Sequence, residues 1–395
     1  MTTPLAGAAP ARPPFWNDPA VRALVFQALA LIAVIALGWY LVHNTQQNLA
    51  QRGIASGFGF LNNAAGFGIV QHLIDYSPAD SYGRVFWIGL LNTLLVSVLG
   101  IVFATVLGFV VGIARLSRNW LVAKIAMVYV EIFRNIPLLL QIFFWYFAVL
   151  RGAPAPRNSY ALGDSVFLNI RGLYVPRPVF GDDFVWVLGA LAIASVGVVL
   201  LRRWAHRRQE ATGQPFPVFI ASLALLVIVP GAMYFAAGQP LAWDVPKLVG
   251  FNFRGGWVVI PELAALLVAL TLYTATFIAE TVRAGILSVS HGQTEAAGAL
   301  GLPNGLTLRL IVIPQAMRVI IPPLTSQYLN LAKNSTLAAA IGYPDLVATF
   351  AGTVLNQTGQ AIETIAITMS VYLALSLGIS MLMNWYNKRK ALVER

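Results

Sequence analysis

Eight stretches of this chain are apolar over about the length that a helix needs to cross the hydrocarbon core of a bilayer, roughly 20 residues. They are Ala23–Val42, Val85–Ala114, Ile125–Leu150, Phe184–Leu201, Val218–Ala237, Trp257–Val282, Ile320–Leu346 and Thr364–Asn384. The second and fourth hold no charged residue, and the seventh is interrupted by polar ones. With 58% hydrophobic and 10% charged residues, the chain cannot cover a water-facing surface, for which about 25% charged residues is usual. Lipid is its natural solvent. There a helix satisfies its own backbone hydrogen bonds. The expectation is an all-α integral membrane protein of about eight transmembrane helices. The first run follows Arg12 and Arg22 but is too long for a signal peptide and lacks a small-residue cleavage site, so it reads as an uncleaved anchor.

The net charge of +11 follows membrane sidedness rather than a nucleic-acid surface. With the N-terminus inside, sixteen basic residues fall in inner segments: Arg12 and Arg22; Arg115, Arg118 and Lys124; Arg202, Arg203, Arg207 and Arg208; Arg283, Arg309 and Arg318; Lys388, Arg389, Lys390 and Arg395. Eight fall outside: Arg52, Arg84, Arg151, Arg157, Arg171, Arg177, Lys247 and Arg254. The excess puts both termini in the cytoplasm. The outer segments Asn44–Arg84 and Arg151–Asp183 are rich in Gly, Pro and Asn and suggest a small cap, with no regular elements assigned. Cysteine is absent, which excludes disulfides and thiolate chemistry.

Between the sixth and seventh runs stands Glu295-Ala296-Ala297, then three residues, Gly301, nine residues, and Ile311-Val312-Ile313-Pro314. The Ala-rich segment favours helix, Gly301 can end it with positive φ, and Pro303 suits the first turn of another helix. The chain itself carries no phosphate-binding Gly-Lys-Ser/Thr loop, since none of its five lysines follows a glycine. The four histidines, His43, His72, His206 and His291, are scattered and read as solvated loop residues. No metal or catalytic constellation is present in the sequence.

This spacing resembles the EAA signature of ABC-importer permeases (E-A-A, three residues, G, nine residues, I-x-L-P), with Ile313 in place of Leu. Three further stretches look like permeases of the polar amino acid (histidine/glutamine/arginine) type: Gly89–Leu95, Tyr129–Gln141 and Leu331–Leu346. The resemblance implies a five-helix permease core, here preceded by an extra span and split by an inserted pair. That layout is similar to the long permeases of broad-range L-amino-acid uptake, the AapQ/BztB group. It implies four segments: an anchor span and outer loop (1–82), the first part of the core (83–150), outer loops with the inserted pair (151–256), and the second part of the core with the coupling loop (257–395). It implies a bacterial inner-membrane permease subunit that imports polar L-amino acids. Expected partners are a sibling permease in a heterodimer, two ATP-binding subunits holding ATP and Mg²⁺, and a periplasmic amino-acid-binding protein. Glu295, Ala296, Ala297, Gly301, Ile311 and Pro314 would couple the chain to the ATPase.

Charges inside apolar spans usually face a partner or a wet pathway. At 100° per residue, Arg134 and Gln141 lie about 20° apart on a helix and Glu131 about 60° from Arg134, so the three share one stripe if the helix is continuous. Pro137 between them invites a kink. With Asn92, Thr93, Lys333, Asn334 and Ser335, these residues form the expected solute pathway. The alternative for Glu131 and Arg134 is an ion pair that fixes packing. Glu280 and Arg283, at the inner end of the sixth span, read as structural or coupling residues. Two rival functions are an ion-gradient-driven amino-acid transporter, which gives the EAA-like loop no task, and an intramembrane enzyme, for which no site is apparent.

Overall fold

The structure is a computed structural model that describes residues 19–390 except 52, 54 and 55. The two termini, with Arg12 and Arg395, and Arg52 lie outside the described residues. The helices are α1 Pro19–Gln51, α2 Tyr82–Ala114, α3 Trp120–Asn135, α4 Leu138–Phe143, α5 Phe184–Thr212, α6 Val218–Ala236, α7 Pro261–Leu287, α8 His291–Ala299, α9 Asn304–Thr307, α10 Ile313–Asn334, α11 Leu355–Thr358 and α12 Ala361–Lys390. Seven of the described helices are long and apolar enough to span a membrane. The bent pair of α3 and α4, the latter extended to Leu150, makes an eighth.

Two spans depart from their expected form. The third is broken by 103° between Asn135 and Leu138, because Pro137 cannot donate a backbone hydrogen bond and bars helix at the residue before it. The seventh begins well before Ile320. α9, a π turn over Leu308–Val312 and α10 run on without a gap, and a 3₁₀ stretch carries the chain to Ile341. Gly342 ends it at φ +77°.

Short strands also occupy the segments that the charge bias reads as outer, where no regular element is expected from sequence. β1 Tyr160–Leu162, β2 Val166–Asn169, β3 Gly172–Val175, β4 Arg177–Phe180, β5 Leu241–Asp244, β6 Lys247–Val249, β7 Asn252–Arg254 and β8 Trp257–Val259 form an antiparallel sheet in the order β1-β2-β3-β8 and two ribbons, β4-β5 and β6-β7. The sixth span therefore starts at Pro261 rather than at Trp257, which belongs to β8.

The chain divides into two compact units, Met1–Leu90 with Leu346–Leu373, and Leu91–Asp345 with Ala374–Arg395. In the first, Phe60, Ile69, Tyr82, Val85, Phe350 and Val354 form a buried cluster. The amide of Gly57 donates to Glu363 Oε1 at 2.6 Å, fastening the loop after α1 to α12. The second unit holds the core that positions the site, centred on α7. Apolar attraction between helices is weak in lipid, so close backbone approach of small residues takes its place. Gly108 and Gly112 of α2 provide it: a Cβ at Gly108 would stand 2.6 Å from Ile278 Cβ, and one at Gly112 would stand 2.8 Å from the Ala279 carbonyl. The Gly-x-x-x-Gly spacing of this seam is visible in the sequence.

Candidate coupling knob and solute cleft

The EAA segment folds as two helices around a tight turn. α8 closes at Leu300, and the next two amides turn back. Gly301 N–H donates to the Gly298 carbonyl at 2.9 Å and Leu302 N–H to the Ala297 carbonyl at 3.0 Å. With Gly301 at φ +73°, this pair of bonds is a Schellman stop. Pro303 precedes α9 with extended backbone. Ala297 is buried, whereas Glu295, Ala296 and Gly301 are exposed. Glu295 meets His291 at 2.9 Å. Ile311 is half-buried in the π turn, and Pro314 sits in the first turn of α10. The knob thus presents a small, low-relief surface and is continuous with a core span.

A second feature is a cleft of about 290 Å³ lined by α3, α7 and α10. Arg134, Phe277, Glu280, Val319, Pro323 and Gln327 are among its walls. Drug-sized ligands fill pockets of roughly 300–1,000 Å³, so this cleft suits a smaller solute. The Arg134 guanidinium lies 5.3 Å from the Phe277 ring centre, within cation–π range. The Glu280 carboxylate pairs with Arg115, just past the end of α2, and with Arg283 one turn further along α7. One wall therefore carries a cation without a carboxylate partner among the described residues, and another a carboxylate held by two arginines. Both carboxylate oxygens of Glu280 are taken, so the cleft is cationic and suits an anionic group of a small solute.

Of the expected pathway residues, only Arg134 lines this cleft. Glu131 is exposed and accepts from the Asn135 side chain. No ion pair joins it to Arg134 among the described residues, so the packing alternative for that pair is not formed. Gln141 is buried beyond the bend. Its Nε2 donates to the carbonyls of Phe133 at 2.8 Å and Ile136 at 2.9 Å, acceptors that the break leaves without helical donors. The bend removes the single stripe. Asn92 and Thr93 are buried, and the Asn92 side chain donates to the Pro344 carbonyl at 2.9 Å. Tyr343 Oη donates to the Asn92 carbonyl at 3.2 Å, so Asn92 ties α2 to the end of the seventh span. Ser335 is buried and bonded to the Ala332 carbonyl, Asn334 is half-buried and Lys333 exposed. Sequence position alone makes Glu280 a structural or coupling residue. Its place beside Arg134 depends on helix packing that residue spacing does not encode.

The long apolar spans, the knob and the core seam are those of a membrane-embedded transport subunit. Residues 104–391 match the family described as "Binding-protein-dependent transport system inner membrane component". The chain belongs to that family: it is a multi-pass inner-membrane permease of an ABC importer. It is 61% identical to YhdX of Escherichia coli (strain K12) over 96% of each chain. It is 53% identical to the general L-amino acid transport system permease protein AapQ of Rhizobium johnstonii, over 100% of this chain and 98% of that one. It is 44% identical over 96% of each chain to the glutamate/glutamine/aspartate/asparagine transport system permease protein BztB of Rhodobacter capsulatus. An ion-gradient-driven carrier is thereby set aside, and ATP hydrolysis falls to separate subunits.

Proposed function

We propose that this permease passes polar L-amino acids from the periplasm to the cytoplasm, driven through the α8–α9 knob by a separate ATPase that binds ATP and Mg²⁺. The observation that carries this reading is the Schellman-stopped knob at Gly301, which exposes small residues and whose second helix continues into α10. The amino-acid transport systems to which AapQ and BztB belong support amino acids as the solute class. In this reading Arg134 meets the solute carboxylate, since its planar fork matches two oxygens. Glu131, Arg134 and Lys333 are exposed on membrane spans, where charge is costly. Their exposure supports a sibling permease against this side of the core, in a heterodimer served by two ATP-binding subunits and a periplasmic amino-acid-binding protein. Both termini and the Arg202–Arg208 segment lie inside in this arrangement.

The test is uptake of labelled amino acids by proteoliposomes holding the copurified complex. Uptake is expected to need internal ATP and to survive collapse of ion gradients. Arg134→Gln is expected to raise the half-saturating solute concentration severalfold with the complex intact. ATP-independent uptake sinks the coupling reading, and an unchanged saturation curve in the variant sinks the cleft.

A further inference from the structure

The arginine-bearing end of the inserted helix pair takes no part in the site above. α5 has 29 residues, about 43 Å at 1.5 Å per residue, and so outlasts a hydrocarbon core of about 30 Å. Its apolar run stops at Leu201, and Arg202, Arg203, Arg207 and Arg208 follow within two turns. Gly213, at φ +73°, ends the helix. The chain then folds back, so that Phe216 meets Trp204 edge-on with ring centres 5.2 Å apart. The Arg208 guanidinium lies 5.4 Å from the Trp204 ring centre and 6.0 Å from that of Phe216. Ala205 is buried. At 100° per residue, Arg203 and Arg207 each stand about 160° away from it and are exposed.

The charges at this end are unbalanced. Glu210 is engaged by His206 at 3.2 Å, and no ion pair involves any of the four arginines among the described residues. Sidedness alone requires basic residues somewhere in the loop. Here they are fixed on a helix, directly after an apolar run and beside Trp204, a residue type that settles at the membrane interface. Guanidinium groups grip phosphate through two parallel hydrogen bonds, and basic clusters flanking a span attract anionic lipid.

We propose that Arg202, Arg203, Arg207 and Arg208 bind the phosphates of anionic phospholipid headgroups, with Trp204 and Phe216 seated at the boundary between headgroups and acyl chains. The test uses the full chain reconstituted in vesicles of equal phosphatidylglycerol and phosphatidylcholine, with native mass spectrometry to count the lipids it retains. The wild type is expected to retain phosphatidylglycerol in excess. Each basic group near such a surface is worth about fivefold, so Arg203→Gln with Arg207→Gln is expected to cut that preference at least fivefold. The change of all four arginines to Gln should abolish it, and change of all four to Lys should keep most of it. The double variant leaves Arg202 and Arg208 to hold orientation, which a reporter after residue 208 checks. Equal retention of the two lipids by the wild type overturns the proposal. So does an unchanged preference in the fourfold Gln variant, or release of the lipid by millimolar inorganic phosphate, which would mark a site for soluble anions.

Discussion

α7 and α6 are both apolar and both span, yet more than half of the apolar stretch of α7 is buried within the chain and almost none of that of α6. Both are apolar enough to cross a bilayer; what separates them is how many neighbours each packs against. α7 meets α2 through Gly108 and Gly112 and holds its charges in a cluster with Arg115. The inserted pair α5–α6 meets mainly itself, Gly197 of one against Leu225 of the other, and turns Phe219, Ile220, Val227 and Ile228 outward. A span in the core is solvated by protein, and a span in the insertion by lipid.

The sharpest way to break this contrast is a bulky residue in each region. Gly108→Leu forces a side chain into Ile278 and the Ala275 carbonyl. It is expected to destabilise the core by about 3 kcal/mol and to remove most monodisperse protein on a sizing column. Gly189→Leu, in α5 with nothing within 4 Å, is expected to stay within about 0.5 kcal/mol of wild type. Equal melting of the two variants would erase the distinction.

The coupling knob gives the next largest effect. Gly301→Val places a β-branched residue at φ +73°, a conformation that costs about 1–2 kcal/mol for most residues. Solute-stimulated ATP hydrolysis by the assembled complex is expected to fall about tenfold, with membrane insertion unaltered. Gly301→Asn should recover part of the loss, because Asn tolerates that conformation. Equal hydrolysis by the Val and Asn variants would show that the turn does not set coupling.

Glu280→Gln deprives Arg115 and Arg283 of their carboxylate. The pairs are partly exposed, so a loss of about 1–2 kcal/mol is expected, seen as a melting point lower by a few degrees. A cycle with Arg115→Gln should show a coupling of at least about 0.5 kcal/mol; additive losses would mean the two side chains act separately.

The smallest effect is expected from the largest change. Phe180 and Leu241 are cross-strand partners in the β4-β5 ribbon. Excising residues 181–240 and joining these two by Asn-Gly, the favoured two-residue hairpin turn, should leave the melting of the core within about 1 kcal/mol. A collapse of the shortened chain would show that the insertion supports the core.

Much of this architecture was legible. The charge-free second and fourth runs become α2 and the apolar part of α5, and α6 ends within a residue of its expected limit. The extension of α5 to Thr212 was missed because an arginine run reads as loop, although Arg is a good helix former and no breaker occurs before Gly213. The strands were hidden for another reason. They are three or four residues long, and β3 is completed by β8 from more than eighty residues further on, so pairing partners rather than local pattern define them. In the site, Gly301 and the knob follow from local backbone chemistry. The capping role of Gln141 and the meeting of Arg134 with Phe277 and Glu280 do not, because both depend on how the chain turns at Pro137.

The β4-β5 ribbon has a consequence for biogenesis. Arg177 and Asp244 are paired at its base, 3.1 Å apart, so the chain leaves for α5 and returns from α6 at one place. Two crossings restore parity. Whatever sidedness the earlier segments acquire at the translocon, α7 and everything after it inherit it unchanged, and such a hairpin can be gained or lost in a lineage without inverting the machinery downstream.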